Sequence, residues 1–384
     1  MSDVDVSTLK VLACILILCL GLRVFTSVLQ GLGYWALERT FQMVGLIVRV
    51  AGVVLICLTS GSIVHLAIVE VAALLAPSIL STLRAISLRQ FKLTFSGVSV
   101  AEIRTLLSFS SKSFAMGAVG AAIVQAGVIV AGVVTSPAIV AYYNAVLRAY
   151  MAVRQLLTWV IDPFLPVLTR QYARRIGDSS ETILRLMFVG LFFGAVGSIG
   201  LSIAAPLIVP VWLPGSGISE TLVLALQVLL IGMVFNSAHI AANSAASAVG
   251  RPGLFLSLHF VWLLLSVALS FVLGQRFGLL GISLGNAVPI ILLEVFYVRR
   301  ANRVLGVDNR AWARWVLAPV TCVVALSGSV SLVAYLLVLP FSVDHRVGLV
   351  IAMSAFGCAV LLCAYSARRS EFVSGVRSVM NLES

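Results

Sequence analysis

The chain has 384 residues, of which 61% are apolar and only 10% charged, with a mean hydropathy of +1.11. Soluble domains carry about 45–50% apolar and about 25% charged residues, so a water-soluble globule is excluded. The net charge of +12 does not signal a nucleic-acid partner, because the basic residues punctuate apolar runs and form no tail or stripe. A lipid-exposed β-barrel would alternate apolar and polar positions, which these unbroken runs do not. The expected fold class is therefore all-α, a polytopic membrane protein.

Apolar runs of about 20 residues predict eleven spans, a to k. Spans a (Thr8 to Gln30), b (Phe41 to Ser60) and c (Ser62 to Leu83) lie close together. A basic stretch with Arg84, Arg89, Lys92, Arg104 and Lys112 follows. Within it Ser99-Val-Ala-Glu102 has the capping-box spacing that starts a helix, and Leu106, Leu107 and Phe109 suggest a short interfacial helix. Then come d (Ser113 to Val134), e (Ala138 to Leu168), f (Thr182 to Ala205), g (Glu220 to Gly250), h (Leu254 to Leu273) and i (Gly278 to Val298). Spans j (Trp315 to Leu339) and k (Val347 to Tyr365) close the chain.

With the C-terminus in the cytoplasm, nineteen Lys and Arg face that side and three, Lys10, Arg276 and Arg346, face the other; Arg23, Arg49, Arg148 and Arg154 lie within spans. That asymmetry follows the positive-inside rule and predicts a cytoplasmic C-terminus, hence an N-terminus outside. Val24-Phe-Thr-Ser27 in span a echoes Val234-Phe-Asn-Ser237 in span g, each followed by two more spans. The a–b–c unit thus reads as the second half of a six-helix lobe whose full copy is d to i, a common transporter plan. The expected divisions are 1–84, three helices of an incomplete N-terminal lobe; 85–112, a basic linker; 113–302, a complete six-helix lobe; and 303–384, a trailing pair with its tail.

Three segments carry a resemblance. They are Tyr142-Tyr-Asn-Ala with Asp162-Pro-Phe-Leu-Pro-Val-Leu-Thr-Arg170, then Ser247-Ala-Val-Gly-Arg-Pro252, and Gly278-Leu-Leu-Gly-Ile-Ser-Leu-Gly285 with Tyr297-Val-Arg-Arg-Ala-Asn-Arg303. In these the chain resembles the polysaccharide-transporter, or oligosaccharide flippase, branch of the multidrug, oligosaccharidyl-lipid and polysaccharide flippase superfamily. The resemblance implies a non-enzymatic transporter in the cytoplasmic membrane, without a cofactor, that moves a lipid-linked (polyprenyl-diphosphate) oligosaccharide by alternating access. Its implied partners are that lipid, membrane lipids, a glycan polymerase and glycosyltransferases. Many members have fourteen helices, so the chain is expected to lack the first three. Alternatives are a drug or cation exporter of the same superfamily, a membrane-embedded polymerase or glycosyltransferase, and a non-transporting remnant.

An ionised side chain inside a span needs a reason. Arg148, Gln155 and Asp162 in span e are seven apart, with Asn144 one turn before Arg148, and read as one polar face toward a cavity. Arginine grips phosphate oxygens in a fork, so Arg148, Arg154, Arg23 and Arg49, with Asn144 and Gln155, are candidates to line an anionic head-group cavity. Snorkelling and structural ion pairs are the plainer alternatives. Glu70, Asp162 and Glu294 are candidates for ion coupling, although an interfacial position near Arg299 is the simpler reading of Glu294. Asn236, His239 and Asn243, with Ser247, mark one face of span g, for sugar contact or helix packing.

Other motifs point to packing. Gly281-Ile-Ser-Leu-Gly285 matches the serine-hydrolase elbow, but inside a membrane run it reads as G-x-x-x-G, which lets helices approach closely. No phosphate-cradling Walker sequence is present, the four histidines have no zinc spacing, and the six cysteines sit in apolar runs without C-x-x-C. Trp312 and Trp315 around Arg314 read as an interfacial anchor.

Overall fold

Within hydrocarbon every backbone N–H and C=O must be satisfied inside its own segment, and the chain answers with helices. The computed structural model describes residues 3–59, 62–88, 99–174, 179–338 and 345–369. The middle of the expected basic linker, with Arg89 and Lys92, and the tail after Arg369 lie outside the described residues. The chain divides into two compact units, Met1–Val100 and Ala101–Ser384.

The first unit holds α1 (Asp3–Gly31), α2 (Trp35–Thr59) and α3 (Ile63–Ser87). The turn between α1 and α2 is tighter than the gap expected from Gln30 to Phe41: Gly33, at φ 88°, takes the left-handed conformation, and Glu38 is already buried in the first turn of α2. At the start of α3 the Ser62 N–H donates to His65 Nδ1 at 3.1 Å, so His65 serves as a cap. Helices α2 and α3 meet where Gly45 faces the Ala73 carbonyl and Pro77, and where Gly52 faces Val69.

The second unit runs α4 (Val100–Val134), α5 (Pro137–Ile161), α6 (Leu165–Arg174), α7 (Ser179–Trp212), α8 (Ser219–Ala248), α9 (Leu256–Leu305), the short α10 (Asn309–Trp312), α11 (Ala318–Val338) and α12 (His345–Arg369). Helix α4 starts where the capping-box spacing places it, but runs unbroken for 35 residues. The expected separate interfacial helix around Leu106 is its first part, because Lys112 and Ser113 neither remove a backbone donor nor disfavour the helical region. Helix α5 ends at Ile161, and Asp162-Pro-Phe164 forms a 3-10 turn into α6, with Pro163 lacking the N–H that would continue the α-helical ladder. The candidate membrane span nevertheless continues through this turn, from Pro137 to Ala173, and covers span e.

Among the described residues nine helices are long and apolar enough to cross a membrane, and Val347–Leu362 is a shorter apolar stretch. The difference from eleven has two equal parts: the shorter stretch is span k, and α9 contains both h and i. Its 50 residues would extend about 75 Å if straight, well over twice the hydrocarbon thickness of about 30 Å. The helix instead breaks at Gly278, where φ 56° and ψ −133° suit glycine alone. The halves fold back on each other: Ser270 Oγ donates to the Ile282 carbonyl at 3.2 Å. A Cβ at Gly281 would run into the Leu273 backbone, and one at Gly285 into that of Ser270. The G-x-x-x-G pair is thus the seam of this hairpin.

Helix α8 packs against α5, α7 and α9. Gly190 and Gly194 on α7 admit Ala241 and Ser237 of α8, and the surrounding core includes fully buried Tyr143, Leu157, Phe255 and Tyr297. Large apolar side chains, such as Val211 and Leu264, point outward, as suits a lipid-facing surface. The trailing α11 and α12 pack on each other and against α7.

Candidate functional site

The second unit contains a cavity of about 470 Å³ walled by α4, α5, α8 and α9. Room for it comes from small residues on α4: Gly117, Gly120 and Ala121 sit where bulkier side chains would fill the space. Polar groups come from Ser113 and Gln125 on α4, Arg154 on α5, Asn243 and Ser247 on α8, and His259 on α9. Of these lining residues Arg154 alone carries a fixed charge, and the buried Asn243 Oδ1 accepts no hydrogen bond. One guanidinium with several hydroxyl and amide groups is a constellation for an anionic, hydrogen-bonding ligand.

The expected polar face of α5 lies off the cavity, and its neighbours line it instead. Met151 and Arg154 line the cavity, whereas Asn144, Arg148 and Gln155 are exposed outside its lining. Asp162 stands beyond the helix end, in the 3-10 turn, so it is not part of the helix face that the seven-residue spacing implied. In the first unit, Arg23 is exposed on α1. Arg49 and Glu70, assigned to different roles by sequence, are joined by an ion pair of 2.8 Å between α2 and α3.

That pair gives a direct test. An exposed ion pair in water is worth ~0.2–1 kcal/mol, and a lone charge at the centre of a bilayer costs ~2.5–3.5 kcal/mol. Replacing Glu70 by Gln is expected to lower stability by an amount between those limits, and adding Arg49→Gln to recover most of it. Melting curves of the single and double variants check this.

The expected polar face of α8 does divide, with Asn243 and Ser247 on the cavity. Asn236 is buried and its Nδ2 donates to the Tyr150 hydroxyl at 3.4 Å, a packing contact. His239 is 2% exposed and its Nδ1 lies 2.7 Å from Glu294 Oε2. The interfacial position expected of Glu294 is corrected here: α9 continues past it to Leu305, and the carboxyl is turned inward onto α8 at 7% exposure. Tyr297, one turn after Glu294, stacks on the His239 ring at 4.1 Å, and its hydroxyl lies 2.9 Å from His259 Nδ1. Trp262 stands edge-on to both imidazoles.

Sequence reasoning missed His259, Trp262, Tyr297 and Gln125. Two signals were available: His259 with Trp262, and Glu294 with Tyr297, are each three apart on the two halves of α9, and the small residues Gly117, Gly120 and Ala121 are spaced by three and four. Among the described residues no group of histidine, cysteine and acidic side chains could hold a metal ion.

The glycines of α4 yield a second prediction. A Cβ at Gly120 would meet nothing within 4 Å. Gly120→Leu is expected to keep the fold, with stability equal or higher by up to ~1 kcal/mol from helix propensity, while lowering affinity for a polyprenyl diphosphate at least roughly tenfold by filling the cavity. Thermal melting and native mass spectrometry on the same sample separate the two effects.

No protein-family model matches the chain, and no curated protein does. A solved structure does: the chain is similar to a lipid II flippase MurJ in an inward closed conformation, with 13% identity and a TM-score of 0.63 over 91% of this chain and 71% of that one. At that identity the likeness concerns architecture. The chain is a multi-pass, all-helical membrane protein with the fold of that flippase.

Proposed function

We propose that the protein is a flippase that carries a polyprenyl-diphosphate-linked oligosaccharide across the cytoplasmic membrane for polysaccharide synthesis. The observation that carries this reading is the Arg154 cavity: a half-buried guanidinium amid Ser113, Gln125, Asn243 and Ser247, in a fold also found in a lipid II flippase. Diphosphate would pair with Arg154, and the first sugar would hydrogen-bond to the amides and hydroxyls. A cationic drug is disfavoured as cargo, since the fixed charge in the cavity is positive.

In this reading 113–302 is a complete lobe of an alternating-access carrier and 1–84 the second half of the other, with 85–112 as the basic linker and 303–384 as the trailing pair and tail. The C-terminus is cytoplasmic, and the residues that load and remove cargo belong to glycosyltransferases and a polymerase. The Arg154 cavity holds the head group without Arg23, Arg49, Arg148, Asn144 or Gln155, none of which lines it. Glu70 is occupied in holding Arg49.

Native mass spectrometry with polyprenyl diphosphate, polyprenyl monophosphate and neutral polyprenol of one chain length tests the reading. Retention in that order is expected. Equal retention of the neutral alcohol would show that the protein does not read the phosphates.

A further inference from the structure

The cavity is not the only polar feature of the second unit. Behind His259 lies a buried cluster with no role in gripping a head group: Glu294, His239, Tyr297 and Trp262, drawn from α8 and both halves of α9. Burying a carboxyl in a membrane-spanning helix is costly, and this one is only half satisfied. Oε2 meets His239 Nδ1 at 2.7 Å, while Oε1 is buried and has no hydrogen-bond partner. Asn302, two turns along α9, is bonded to Asn309 instead. A purely structural carboxyl would be expected to use both oxygens.

The pair has two simple proton states. In one, a Glu294 carboxylate accepts from the Nδ1–H of a neutral His239, and the pair carries one negative charge. Adding one proton, on Glu294 Oε1 or on His239 Nε2, makes the pair neutral. The charged and titratable groups around it are few. Arg154 on α5 shares the cavity lining with His259, whose ring lies 5.8 Å from that of His239. His259 and Tyr297 face the pair from α9, and Arg299 lines the same groove as Glu294. Tyr150 on α5 is engaged with Asn236. In that groove α7 and α11 present Leu191, Ala195, Val320 and Thr321, none of which titrates, and from α4 the cavity receives the neutral Ser113 and Gln125.

We infer that the His239–Glu294 pair is a proton-binding site linked to occupancy of the Arg154 cavity, so that an anionic head group and one proton bind together. With the cavity empty, the Arg154 cation favours the negative, deprotonated pair. A diphosphate that neutralises Arg154 removes that support, and the neutral, protonated pair becomes the favoured state. By reciprocity, protonating the pair frees Arg154 to hold the diphosphate more tightly. No bond other than that to the transferred proton changes. The linkage rests on the head-group reading above; the proton site itself does not.

Two measurements on the full-length protein in nanodiscs test this, with farnesyl diphosphate as probe. Infrared difference spectra of the wild type are expected to show the carbonyl stretch of a buried carboxylic acid, growing as pH falls and again when farnesyl diphosphate is added. That band is expected to be absent in Glu294→Gln and shifted in Glu294→Asp, the second variant serving if the first does not fold. In parallel, wild-type affinity for farnesyl diphosphate is expected to rise as pH falls, by up to about tenfold per unit for one linked proton, beyond any rise seen in Glu294→Gln. The probe's own titration is common to both proteins and cancels. An unchanged infrared spectrum in Glu294→Gln overturns the proton site. A titrating band with identical pH dependence of affinity in the two proteins overturns the linkage while the flippase reading stands. Failure of the wild type to bind farnesyl diphosphate at any pH overturns the linkage together with that reading, and leaves the proton site to be decided by the band.

Discussion

Replacing Arg154 by Ala is expected to weaken binding of a polyprenyl diphosphate roughly 10- to 150-fold, and Arg154→Lys to recover part of that loss. The magnitude follows from the hydrogen bonds at stake: a bond to a charged group is worth about 1.5–3 kcal/mol, and tenfold in affinity is about 1.4 kcal/mol. Lysine keeps the charge but loses the fork, so partial recovery separates electrostatics from geometry. The control is Arg148→Ala. Arg148 is exposed and outside the cavity lining, and its replacement is expected to change affinity less than roughly threefold, within the range of a surface substitution. Titration by native mass spectrometry or microscale thermophoresis of the three variants decides between them. An equal loss for both alanine variants would mean that a diffuse positive field, and not the cavity, recruits the ligand.

The second large effect concerns the α9 hairpin. In an open helical position Gly→Ala stabilises by roughly 0.5–1 kcal/mol. At Gly285 the added methyl would collide with the backbone of Ser270, which cannot rotate aside as a side chain can. Gly285→Ala is therefore expected to destabilise by about 1–3 kcal/mol, the cost of an overpacked contact. Gly117→Ala on α4, where a Cβ would meet nothing within 4 Å, is expected to be neutral or stabilising. Opposite signs for one chemical change in one protein form a sharp test, read as the difference in melting temperature in detergent. Two variants moving in the same direction would show that the halves of α9 are not closely apposed at Gly285.

Much of this architecture was legible in the sequence because lipid imposes a simple code. Length and hydropathy predicted the spans, and the turn inside α9 falls at Gly278, where span i was expected to begin. Charge was a poor guide to helix ends, since Lys112 does not interrupt α4, and proline marked an end only in places: α5 stops before Pro163, while Pro77, Pro206, Pro210 and Pro289 lie inside helices. Candidate residues were found by type more readily than by partner. Arg154 and Asn243 belong to one cavity, but seven-residue spacing favoured Arg148, because the rotation of α5 about its axis is set by α7 and α8, which the spacing does not encode. Glu294 and His239 are 55 residues apart, and nothing local to either names the other. Arg49 and Glu70 likewise show that an intramembrane charge calls for a partner before it calls for a ligand.

The central claim is that this chain moves a lipid-linked sugar between leaflets. A fluorescently labelled polyprenyl-diphosphate oligosaccharide, placed in proteoliposomes with purified protein, can be followed by its access to an impermeant quencher added outside. The account predicts that wild-type protein brings the initially protected inner-leaflet fraction within reach of the quencher, and that Arg154→Ala slows this at equal protein content. Protection that persists as in protein-free liposomes, or a rate the same for wild type and Arg154→Ala, would contradict it.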